Sequence, residues 1–196
     1  HSCLAQLTLL PPLTALTPLT FLNLLRLLLI FLSTLLLWVL TAQLNHALAP
    51  WHIYLFLGAL AITLPALTIS LRTGLIASFL GGLLFDAMAP IPFGTHALLF
   101  GLTHAVIFNL RDRVPRDDTL SRVLIALFAN LGLFLLFSFT QVARSPAPAS
   151  LWPRLFVDLA CSQLMLALIA PWFFAIQARA LALASHDSNP SPSRYV

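Results

Sequence analysis

Six apolar stretches run along this chain almost without interruption, and the polar residues gather in the gaps between them. Stretches at or near the ~20 residues that cross a bilayer core predict transmembrane helices. They cover positions 21–42, 52–70, 74–89, 93–110, 120–142 and 154–178. Positions 1–20 are apolar but broken by Pro11, Pro12 and Pro18, and they read as an interfacial lead-in. Positions 21–180 form one six-helix domain. Positions 181–196 turn polar and Pro-containing and read as a disordered tail. Short loops are expected at 43–51 and, Pro-rich, at 143–153. Pro171 falls inside the sixth stretch and predicts a kink there.

The third and fourth stretches are short and differ from the rest. Gly74, Ser78, Gly82 and Asp86 recur every four positions, which places them near one helix face. Ala97, Gly101 and Ala105 repeat the spacing on the fourth. Small faces of this kind let two membrane helices approach closely, so 72–113 predicts an antiparallel hairpin. Arg72 marks the turn before it.

Composition settles the solvent. The chain is 60% hydrophobic and only 8% charged, against about 25% charged in a soluble domain. It is expected to be an all-α integral membrane protein. Strands of alternating polarity are missing, which argues against a barrel. The net charge of +4 comes from ten arginines, with neither Lys nor Glu present. These arginines flank apolar runs, so they orient helices rather than bind nucleic acid. Arg26, Arg72, Arg111, Arg113, Arg116, Arg122, Arg179 and Arg194 fall on one side of a six-span topology, and Arg144 and Arg154 on the other. The positive-inside rule then puts both termini in the cytoplasm. Cys3 and Cys161 form no CxxC or other framework, so no disulfide scaffold or zinc site is expected.

Asp86 is the main candidate for chemistry. It lies about 20 Å along the helix from Arg72, in the outer part of the hydrocarbon or near its outer boundary. An aspartate at mid-membrane costs about 2.5–3.5 kcal/mol on insertion scales, so it must find partners. Three readings are open: a cap on the backbone N–H groups of residues 93–95, a partner-binding group, or a proton relay. His52, His96, His104 and Asp158 match no metal-ligand spacing such as HExxH. Arg154 and Asp158 are four apart and are expected to pair. Asn130 is expected to make an interhelical hydrogen bond. Phosphate loops, GxSxG and Ser/Lys dyads are missing, so neither catalysis nor a cofactor is expected.

Gly82-x3-Asp86-x7-Gly94 in a short hairpin resembles the rod shape-determining protein MreD family. Pro50-Trp51, Pro65 followed by Arg72, and Pro171-Trp172 ahead of Arg179 extend the resemblance over roughly 45–180. Departures are the long Pro-rich start and Ala49, where the family often has a basic residue. The resemblance implies a non-catalytic protein of the bacterial inner membrane, part of the cell-wall elongation machinery. It implies association with MreC, and through it with MreB, RodA and a penicillin-binding transpeptidase. It also implies a fold similar to the substrate-binding subunit of vitamin transporters, the ECF S-component. The alternative function is accordingly a small-molecule (vitamin) binding subunit of a transporter.

Overall fold

The computed structural model describes residues 18–87, 92–113, 118–146 and 148–186. These residues are predominantly helical, with no strand among them. Six α-helices follow one another: α1 (Pro18–Leu48), α2 (Gly58–Thr68), α3 (Leu71–Asp86), α4 (Thr95–Leu110), α5 (Thr119–Arg144) and α6 (Pro148–His186). Single 3₁₀ turns follow α1 at Ala49–Trp51 and α4 at Arg111–Arg113.

The short helix α2 is the centre. It touches all five others, and they surround it in the order α1, α3, α4, α5, α6, with α6 closing back on α1. Gly58 to Leu67 are buried without exception. A helix apolar on every side belongs in such a position. The surrounding helices turn apolar stripes outward. Leu24, Leu28, Leu32 and Leu36 are exposed along α1, Leu98 and Leu102 along α4, and Leu164, Leu168 and Trp172 along α6. A continuous apolar exterior fits hydrocarbon as the solvent. Three helices are long and apolar enough to cross a membrane, within Leu24–Trp51, Thr119–Arg144 and Ala149–Leu183.

Several boundaries differ from the hydropathy reading. The helix α1 continues through the expected loop at 43–51 as far as Leu48. Nothing between Gln43 and Leu48 opposes a helix, and the stop comes with Pro50. The second apolar stretch is helical only from Gly58. His52 takes a left-handed conformation (φ 56°) and the chain then runs non-helically to Leu57. In the expected loop at 143–153, α5 lasts to Arg144 and α6 restarts at Pro148. Proline suits that position because its missing N–H would lack a helical partner anyway. The helix α6 passes through Pro171 without a break and runs on to His186. Positions 1–17 of the lead-in and 187–196 of the tail lie outside the described residues.

Candidate functional site

Among the described residues, buried polar side chains gather chiefly in two places, the α3–α4 seam and the non-helical segment ahead of α2.

In the seam, Gly82 lies against the backbone of α4. A Cβ built on it would sit 2.6 Å from the Ala97 nitrogen and 2.7 Å from the His96 carbonyl carbon. Only glycine permits this approach. One turn further, Asp86 ends α3 beside the first turn of α4. Its Oδ2 accepts the Gly94 N–H at 2.9 Å and the Ala97 N–H at 3.3 Å. Its Oδ1 accepts the His96 N–H at 2.9 Å and lies 2.9 Å from the His96 ring Nδ1. The first N–H groups of a helix have no partner within it, and its N-terminus favours negative charge. Asp86 answers both needs from the neighbouring helix. The bonded groups are those of Gly94, His96 and Ala97, rather than all of 93–95. Gly94 makes the turn itself, at φ 96°.

Aromatic rings enclose the His96 ring. Phe137 is 4.2 Å away between centroids, and Phe56, Phe85 and Phe100 lie near 6 Å. With the carboxylate ionised, Nδ1 is the donor to Asp86. A second polar pair lies two turns deeper. His104 Nδ1 is 3.0 Å from Ser78 Oγ, and the His104 ring is fully buried over Gly74. Among the described residues His104 Nε2 has no hydrogen-bond partner.

The α3 half of the small-residue prediction places Gly74, Ser78, Gly82 and Asp86 in the seam. The α4 half needs correction. Gly101 faces open space, with nothing within 4 Å of a built Cβ, while Ala97 and His104 supply the contacts. The helix α3 also has a second small face that spacing did not reveal. Gly81 meets Thr34, and Ala77 packs with Ile30 of α1. Arg72 is exposed at the start of α3, and Pro171 lies far along α6, away from the seam.

The second polar group was not anticipated as a unit. Residues 54–56 are non-helical, so their backbone needs partners. Asn45 of α1 provides two: its Oδ1 accepts the Leu55 N–H at 2.7 Å, and its Nδ2 donates to the Leu55 carbonyl at 3.0 Å. Asp158 of α6 accepts the Tyr54 N–H at 2.9 Å, and Ser162 Oγ accepts the Phe56 N–H at 3.0 Å. Asn130 of α5 donates to the Phe56 carbonyl at 3.0 Å. Non-helical backbone is tolerated at membrane depth only when protein groups satisfy it. Arg154 Nε lies 4.0 Å from Asp158 Oδ2, so the expected pair forms. The available signal was the set of isolated polar residues in apolar helices, with Asp158 and Ser162 one turn apart.

Of the histidines and aspartates weighed for metal binding, Asp86 and His96 meet. No group of three or more His, Cys, Asp or Glu side chains suited to a metal occurs among the described residues. Both polar groups spend most of their hydrogen bonds on backbone. Chemically they act as staples that fix helix ends and a broken strand of chain. Comparison with protein-family models, with curated proteins and with solved structures finds no match to this chain.

Proposed function

We propose that the chain is a non-catalytic membrane scaffold of the bacterial rod-shape machinery, as its resemblance to MreD implies. On this reading it crosses the inner membrane six times, with both termini in the cytoplasm. It docks MreC and so links RodA and its transpeptidase to MreB filaments. The supporting observation is that the residues carrying the resemblance meet: Gly82 lies on the α4 backbone, and Asp86 bonds the Gly94 N–H at 2.9 Å. Asp86 has both oxygens engaged, which suits a rigid support better than a reacting group. The outward leucine faces of α1, α4 and α6 offer apolar surface to a partner's membrane helix.

The length of the second apolar stretch is compatible with a span on this reading. The helix α2 alone is about 16 Å long, and the six residues 52–57 add up to about 20 Å when extended. Together they match a hydrocarbon core of about 30 Å. The non-helical segment also resembles the interrupted helices that bind solutes in transporters. Here, however, the N–H groups of Tyr54, Leu55 and Phe56 are all taken by side chains. The vitamin-binding alternative therefore takes second place.

The experiment is recovery of the partner. The tagged protein is solubilised gently from the membranes of its own cells and captured, with crosslinking before lysis. An MreC homologue is expected to come with it. Its repeated absence, with both proteins intact in the same membranes, refutes the scaffold reading.

A further inference from the structure

Packing gathers arginines at one end of the molecule. Ile30 of α1, Ile69 at the end of α2 and Ala77 of α3 form a small buried cluster, with Leu27 of α1 and Leu181 of α6 packed on it. Four arginines from four parts of the chain flank this cluster. Arg26 adjoins Leu27, Arg72 follows Ile69 by three residues, and Arg179 precedes Leu181 by two. The Arg111 guanidinium, just past α4, donates to the Ile69 carbonyl at 3.3 Å. Arg113 and Arg122 border the connection from α4 to α5 at the same end.

Acidic residues are fewer there. Among the described residues they are Asp112 and Asp118. Asp118 caps α5, accepting the Leu120 and Ser121 N–H groups at 3.3 Å each. Asp112 lies 4.0 Å from Arg111. Among the described residues Arg26, Arg72 and Arg179 form no ion pair. At the opposite end, by contrast, Arg154 sits beside Asp158.

Arg26 is the most telling of these residues. It lies four residues before the buried Ile30 and so shares its face of α1. It is half-buried. A guanidinium stays charged in proteins, and withdrawing a charge from water without a counter-charge is costly. The surroundings select the kind of anion. Leu24 and Leu28 near Arg26, Leu71 beside Arg72, and Ile176 and Leu183 near Arg179 are all exposed. A soluble anion gains nothing from these leucines and isoleucine. A molecule with an anionic head and acyl chains satisfies both the charges and the apolar surface.

We propose that this end of the bundle binds the phosphate headgroup of an anionic phospholipid. Arg26, Arg72 and Arg179 hold the headgroup level, and the acyl chains lie on the apolar residues beside them. This rests on the membrane-spanning reading and not on the scaffold role.

Native mass spectrometry of the full chain in a non-ionic detergent tests it. The protein is titrated with dioleoyl-phosphatidylglycerol or with dioleoyl-phosphatidylcholine, which share their acyl chains and differ in net charge. Each arginine near an anionic lipid contributes about fivefold in affinity. The wild type is therefore expected to bind the phosphatidylglycerol at least about tenfold more tightly. Arg26→Gln alone is expected to lose about fivefold of that affinity, and the triple variant R26Q/R72Q/R179Q more than about tenfold. Arg144→Gln, exposed at the opposite end, is expected to change it by less than about twofold. Binding of phosphatidylcholine should be the same in all four proteins, which shows that the variants keep their apolar surface. Inorganic phosphate in large excess, at constant ionic strength, should leave the phosphatidylglycerol bound. Equal affinity of the wild type for the two lipids overturns the proposal. So does a loss from Arg144→Gln as large as that from the triple variant, which would mean that charge acts without regard to place. Displacement by inorganic phosphate also overturns it, in favour of a soluble anion.

Discussion

Gly82 of α3 and Ala97 of α4 pack backbone against backbone, with no room for a side chain between them. Gly74 is close to α4 in a different way, because the atoms it meets belong to the His104 ring. Gly101 meets nothing within 4 Å. Three glycines in one hairpin thus predict three outcomes on replacement by alanine. Gly82→Ala must push the two helix backbones apart and is expected to cost about 1–3 kcal/mol. Gly74→Ala displaces a side chain and costs less. Gly101→Ala is neutral or slightly stabilising, since alanine is the better helix former by up to about 1 kcal/mol. Thermal unfolding in mild detergent checks the order. Equal effects at positions 82 and 101 would show that the seam is not where the structure has it.

Asp86 gathers three backbone N–H groups and one imidazole, all buried or half-buried. Asp86→Ala strands these donors at the start of α4. Each unsatisfied buried group costs about 1–3 kcal/mol, so the loss is expected to be among the largest of any single substitution here. Asp86→Asn keeps one acceptor oxygen and is expected to lose less. Denaturation of the two variants in parallel gives the comparison. If the asparagine variant is the less stable one, the carboxylate is not acting as the cap.

The clamp on residues 54–56 predicts a local effect before a global one. Asn45→Ala removes both partners of Leu55, and Asn130→Ala removes the partner of the Phe56 carbonyl. Hydrogen exchange at Leu55 is expected to accelerate strongly in the first variant, while amides in the middle of α5 stay protected. Leu55 and Phe56 are adjacent, so the two substitutions should be non-additive by about 0.5 kcal/mol or more in a double-mutant cycle. Strict additivity would mean that the two amides act on separate structures.

These two polar groups differ in how far the sequence exposes them. Asp86 is conspicuous as a lone carboxylate after small residues at four-residue intervals. That pattern carries information because helical geometry turns a spacing of four into a shared face. The clamp was invisible as a unit, because hydropathy does not register a break in helix. Positions 52–57 are as apolar as the helix that follows, and the break shows only in where their hydrogen bonds go. Asn45, Asn130, Asp158 and Ser162 lie on three different helices, so their convergence depends on tertiary packing. Gly101 makes the same point in reverse. By spacing it equals Gly82, yet it faces outward, because the ring of His104 and not a glycine fills the deeper part of the seam.

Ser78 and His104 allow a sharper test of what holds that deeper part. The pair is buried, bonded at 3.0 Å through Nδ1, and its Nε2 has no partner among the described residues. Removing one member of a buried pair costs more than removing both, since a lone polar group keeps its desolvation penalty. Ser78→Ala alone leaves the whole imidazole without a partner, and about 1–2 kcal/mol of stability should be lost. His104→Phe keeps a flat ring over Gly74 and its stacking on Phe108, which lies 6.5 Å away between centroids. The double variant Ser78→Ala/His104→Phe is therefore expected to be more stable than Ser78→Ala alone, and close to the wild type. Unfolding of the four proteins under one condition closes the cycle. A double variant weaker than either single one would mean that the hydroxyl–imidazole contact is itself a net source of stability, and that the close fit of α3 on α4 depends on polarity as well as shape.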